Sequence, residues 1–188
     1  MLDILTGAGI FVYPLALCSF VAVFIIVERL LALRPVRVMP RDVMQALLDG
    51  QEPAGDGLER SAAGRIASFF YKQRPDDEAL KAYARLEVAR FERGIFLLEI
   101  VIAAAPLIGL LGTVTGLIQV FAHYTPDAGL PDPSIFTQGI ALALTTTMLG
   151  LAIAIPSIVG NNYLQRRIDL LAAQLDVEVE RLNSSREG

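Results

Sequence analysis

Inside its apolar stretches this chain offers hydroxyls and amides for chemistry: Thr113, Thr115 and Gln119 in one stretch, Gln138, Thr145, Thr146 and Thr147 in another. Side chains that titrate at membrane depth are the usual carriers of protons and ions. Here Ile4 to Val27, Ile100 to Pro126 and Pro133 to Gln165 contain no Asp, Glu, Lys or Arg. A hydroxyl can donate to a carboxylate or hold a water, but it does not titrate near neutral pH, so a proton crossing here needs an acid from another chain. Glu28 and Glu99 read as interfacial charges pairing with Arg29 or Arg93. His123, the single histidine, reads as an interfacial residue with ordinary solvation. Cys18, the single cysteine, has no second thiol or metal ligand and reads as a small apolar filler.

The elements that must position these groups follow from charge. All 16 Lys and Arg lie between Arg29 and Arg93 or between Arg166 and Arg186, and each apolar stretch can cover a hydrocarbon core that needs about 20 helical residues. The expected fold is all-α, an integral membrane protein with three transmembrane helices, the second and third extended as long cytoplasmic helices, assembling as a homo-oligomer. Residues 1-8 form a short outer N-terminus, 9-31 the first span, and 32-96 a cytoplasmic insert with a helix leading into the membrane. Residues 97-123 form the second span, 124-134 an outer loop, 135-161 the third span and 162-188 a cytoplasmic helix and tail. Met1 to Gly9 and Tyr124 to Ser134 hold Asp3, Asp127 and Asp132 but no basic residue, so the positive-inside rule places them outside. MLDILTG lacks the basic start of a secretory signal, so the first helix is expected to be retained.

Arg34-Pro35 is expected to end the first helix. The insert alternates short amphipathic pieces, Arg41 to Leu48 and Arg65 to Tyr71, with breaker-rich Gly50 to Gly57. From Asp76 the sequence has acids in its first turns and no Gly or Pro before Gly94, which predicts one continuous helix into the second span. Beyond the third span, Leu164, Ile168, Leu171, Leu175, Val179 and Leu182 recur at steps of three and four, a stripe that needs a surface to bury it.

In the second span Pro106, Gly109, Thr113 and Gly116 share a small face with Gly112 beside it; in the third, Gly139, Ala143, Thr147, Gly150 and Ala154 do the same. Such faces let helices approach closely where lipid supplies no hydrophobic drive. Consecutive threonines point about 100° apart on a helix, so Thr145, Thr146 and Thr147 cannot face one pore together, and Thr147 is placed on the small face. Spacing alone leaves a packing role open for every threonine. Composition agrees with a chain half in the membrane and half in water: 54% hydrophobic, 19% charged, net charge −4 with acids and bases interleaved. No basic block points to nucleic acid, no nucleophile, base and orienting group converge as in an enzyme, and no metal or cofactor motif is present.

The segments AAPLIGLLGTVTGLIQVF, Ala104 to Phe121, and GIALALTTTMLGLAIAIP, Gly139 to Pro156, resemble the signature of the MotA/TolQ/ExbB proton-channel family. Three spans and VERLLALRP after the first bring the resemblance closest to the ExbB/TolQ branch. It implies a stator subunit in the bacterial inner membrane, with its N-terminus periplasmic and C-terminus cytoplasmic. Such subunits form a homo-oligomeric ring, usually a pentamer, around an ExbD/TolR-like single-span partner that carries the titrating Asp. That assembly converts proton motive force into work on a TonB- or TolA-like protein. Thr113 and Thr147 match the family's pore-lining threonines, and Thr146 beside them completes the candidate set. Leu142 stands where some members carry a glutamate, so no step through that acid applies. The alternative is a non-conducting scaffold that gathers partner helices by its small faces.

Overall fold

In a computed structural model, whose described residues are 9–34, 38–48, 61–122 and 133–187, every regular element is helical. A 3-10 turn, Gly9–Phe11, leads into α1, Val12–Ala32; then follow α2, Arg41–Leu48, α3, Ala62–Gln73, α4, Asp77–Phe91, α5, Ile95–Ala122, and α6, Pro133–Glu187. Three stretches, Gly9–Ala32, Ile95–Ala122 and Phe136–Ser184 within α6, are long and apolar enough to span a membrane, and the protein is a multi-pass membrane protein. Gly50 to Gly57, His123 and the expected outer loop up to Asp132 lie outside the described residues. Contacts divide the chain into two units: Met1–Ile26 with Gly94–Asn161, and Val27–Arg93 with Asn162–Gly188.

The first unit is organised around a seam between α5 and α6. Gly109 lies against the Thr146 carbonyl and Thr147 Cα, Gly112 against the Thr146 side chain, Gly116 against the Gly139 carbonyl and Ala143, and Gly150 against the Ala105 carbonyl. Partners fall along α6 as numbers rise along α5, so the helices run antiparallel. A methyl group added at Gly116 or Gly150 would stand 2.5 Å from the opposing carbonyl oxygen, closer than a methyl carbon can approach. Backbones touch here because side chains are missing, the packing that helices use where water supplies no drive. The outward side is apolar instead: Leu107, Leu110, Leu111, Ile118 and Phe121 of α5 and Leu144 and Met148 of α6 are all exposed, as lipid-facing or subunit-facing surface must be. α6 continues through Pro156 without interruption.

The second unit follows soluble-protein rules. α3 begins on Ser61, whose hydroxyl accepts from the Gly64 N–H at 3.1 Å, and ends on Arg74 in the left-handed region, φ 46°. α4 starts on Asp76, whose carboxylate accepts from the Ala79 N–H at 2.8 Å, with Asp77 and Glu78 in its first turn. The two helices form an antiparallel hairpin: Phe69 stacks on Tyr83 with ring centroids 4.3 Å apart, and Ile66, Ala67, Leu80 and Ala84 are buried. Glu87 is fully buried, held by Arg65 through Nε at 3.0 Å and Nη2, and by Arg90. The Glu87 hydrogen bond raises Arg65 above the ordinary arginine range against the pull of desolvation, so the guanidinium stays charged. The α6 stripe Leu164, Ile168, Leu171, Leu175, Val179 and Leu182 is at most 4% exposed, and Lys81 of α4 reaches Glu180 of α6 at 3.5 Å.

One expectation fails. The helix entering from Asp76 is not continuous into the second span: α4 stops at Phe91, and α5 starts at Ile95 after Gly94 with φ 87°. A residue at positive φ cannot propagate a right-handed helix, and glycine adopts it without a Cβ clash.

Two outcomes are expected in thermal unfolding of the detergent-solubilised protein. Gly116→Ala and Gly150→Ala should each destabilise by about 1–3 kcal/mol, because a rigid carbonyl must yield, whereas Gly160→Ala, which meets only the Ile26 side chain, nearest at its terminal Cδ1, should stay within about 1 kcal/mol. Arg65→Met should cost about 2–4 kcal/mol by stripping the buried Glu87 of its better-shielded partner; Arg90→Met, whose side chain is half exposed, should cost about 1 kcal/mol or less.

Candidate functional site

α5 and α6 bring two of the candidate threonines together. Thr113 Oγ1 and Thr147 Oγ1 lie 2.5 Å apart, both half-buried at the rim of the seam. Thr113 Oγ1 also stands 3.1 Å from the Ala143 carbonyl and 3.4 Å from that of Gly109; Thr147 Oγ1 stands 3.2 Å from the Gly109 carbonyl. Two hydroxyl protons thus serve each other and two carbonyls. One hydroxyl can donate to the other while its partner's proton goes to a carbonyl, and the direction can reverse with no heavy atom moving. Those carbonyls sit in continuous helix, each one turn before a threonine whose N–H it accepts, so the hydroxyl bonds are second bonds on acceptors already satisfied. Redirecting one hydroxyl to an incoming anion therefore strands no backbone group.

Thr146 is placed differently. It is fully buried, its side chain seated on Gly112, and its hydroxyl donates back to its own helix at the Leu142 carbonyl, 2.9 Å, or that of Ala143, 3.0 Å. The bottom of the α6 seam therefore runs Gly139, Ala143, Thr146, Gly150, Ala154, with Thr147 at its edge. Steps of three and four fit either threonine; the glycine facing it on α5 decides. Thr146 reaches no accessible surface in this chain. Thr115 points elsewhere and donates to the Leu111 carbonyl at 2.9 Å, and Gln119 and Gln138 lie exposed.

Sequence reasoning overlooked the Gly109 and Ala143 carbonyls, which no side-chain pattern could mark. It also overlooked Ser157 and Asn161, both buried on the same α6 face; their spacing from Ala154, three and seven, was a readable signal. Ser157 donates to the Ile153 carbonyl at 2.7 Å.

Known proteins share this chain's pattern over most of its length. Across 96% of its residues the chain is 26% identical to biopolymer transport protein exbB1 of Vibrio cholerae, covering 86% of that protein. It is 36% identical to a putative ExbB-like 1 biopolymer transport protein of Synechocystis over 82% of this chain, and 28% identical to a putative ExbB homolog of Methanothermobacter thermautotrophicus over 90% of it. The chain spans 66% and 64% of the lengths of those two relatives. The model of the MotA/TolQ/ExbB proton channel family matches residues 65–177, which include α4, α5, the hydroxyl pair and most of α6. The chain belongs to the MotA/TolQ/ExbB proton channel family, whose members are channel and transport proteins rather than enzymes.

Proposed function

We propose that this chain is the ring-forming stator subunit of an inner-membrane proton channel, and that its Thr113–Thr147 pair meets the carboxyl of an ExbD/TolR-like partner helix. One observation carries the reading: two hydroxyls share protons 2.5 Å apart within apolar stretches that hold no charged residue. Such a pair suits an acid that arrives in two states. An ionised carboxylate accepts from whichever hydroxyl turns outward; a protonated one donates to the other. The basic residues flanking the spans support a periplasmic N-terminus and cytoplasmic C-terminus, so protons move from the periplasm through the partner's acid to the cytoplasm.

The driving force suffices for switching. Each proton crossing brings about 2.3 kcal/mol per 100 mV, while a carboxylate left without donors in a dry core costs several kcal/mol. The charged acid therefore selects positions where hydroxyls face it, the neutral acid does not, and alternation between the two turns or rocks the partner among equivalent ring positions. Work then passes to a TonB- or TolA-like protein. The relatives named for biopolymer transport support this direction of use, and the ring follows the family's pentamer. A scaffold without conduction would use the glycine seam alone and leave the hydroxyl pair idle.

Replacing both hydroxyls tests the difference. Thr113→Val with Thr147→Val keeps the volume and leaves no buried donor unpaired, so unfolding stability should move by about 1 kcal/mol or less. Proton-driven transport in cells carrying the native partner should fall at least about tenfold, the effect of losing roughly 1.4 kcal/mol of selective stabilisation. Full transport by the double variant would leave the scaffold as the better reading.

A further inference from the structure

From the polar end of α1 and the adjoining part of α6 we infer that this chain carries a site for one anionic phospholipid, its headgroup phosphate held by Arg34 and Arg167. Arg167 is half-buried and already aimed: its Nη1 donates to the Leu33 carbonyl at 3.2 Å, and its guanidinium lies 5.5 Å over the Tyr163 ring. That carbonyl belongs to the residue just past the end of α1, where helix carbonyls lack partners, so the arginine is fixed by a backbone group without being neutralised. One of its five N–H donors is used there, and the rest of the fork is available for a planar, two-point contact with phosphate. Arg34 follows Leu33 directly and is exposed.

Among the described residues no carboxylate lies within ion-pair distance of Arg34, Arg166 or Arg167. Glu28 is taken by Arg29 at 3.0 Å. Asp169 comes two residues after Arg167, which turns it about 200° away around the helix. Preceding Arg34, Val27 and Leu31 lie one turn apart on α1 and are exposed, at 50% and 43%, and Tyr163 is exposed at 50%. An aliphatic strip, an aromatic ring and a pair of arginines with no carboxylate partner among the described residues form, in that order, the complement of acyl chain, glycerol region and phosphate. The chemistry favours a lipid over a soluble anion because the apolar strip adjoins the cations.

The site is independent of the hydroxyl pair and can be tested without any transport readout. The intact detergent-solubilised protein is titrated with phosphatidylglycerol or phosphatidylcholine and bound lipid is counted by native mass spectrometry. Wild type should retain phosphatidylglycerol in preference, and Arg34→Gln and Arg167→Gln should each lower that preference by up to about fivefold. Arg34→Gln keeps the experiment decisive if Arg167→Gln loosens the α1 end, because the Arg34 side chain lies exposed. Arg167→Lys should fall between wild type and Gln, having charge without the fork. Equal retention of the two lipids by wild type, or unchanged preference in Arg34→Gln, would overturn the inference. So would thermal protection by inorganic phosphate alone matching that by phosphatidylglycerol.

Discussion

The backbone contact between α5 and α6 is the constraint on which the rest of the first unit depends. Acyl chains are as apolar as the side chains they would cover, so two helices stay together only if dispersion contacts and polar pairing are dense enough to beat packing against lipid. Gly109, Gly112, Gly116, Gly139 and Gly150 bring the two helices together at backbone distance. The same proximity brings Thr113 and Thr147 within hydrogen-bonding range and puts their hydroxyls beside the Gly109 and Ala143 carbonyls. A seam lined with leucine would hold the hydroxyls too far apart to share a proton. Packing and chemistry are therefore one arrangement.

The second unit solves a different problem. Lys81, Glu180 and Arg181 stay exposed while Leu80, Ala84 and the α6 stripe are buried, the pattern by which apolar burial drives association in water. Within that core Glu87 is fully buried, and its two arginines make it tolerable without making it an obvious gain in stability. What the pair does supply is register: the Arg65–Glu87 contact and the Phe69–Tyr83 stack are compatible with a single alignment of α3 on α4.

Several features were open to reading from residue types alone. Three uncharged stretches announce three spans because a charge in hydrocarbon is costly, and the α6 stripe announces its buried face because its spacing matches the helical period. The short amphipathic pieces of the insert became α2 and α3. The break at Gly94 was harder, since a glycine inside a helical pattern is often tolerated and only backbone geometry reveals positive φ. The choice between Thr146 and Thr147 was undecidable by spacing, because both lie a permitted step from Ala143.

Composition and charge pattern, then, determined on their own that the chain crosses a membrane, where the apolar stretches lie and that no charged side chain sits within them, because solvation of charge depends on residue type before any fold exists. Tertiary structure decided which threonine hides against Gly112 and which two share a proton, and it aimed Arg167 at the end of α1. Those outcomes turn on distances of an ångström or less between helices far apart in sequence, and helical periodicity, which fixes direction only to within a face, carries no information about the partner across the seam.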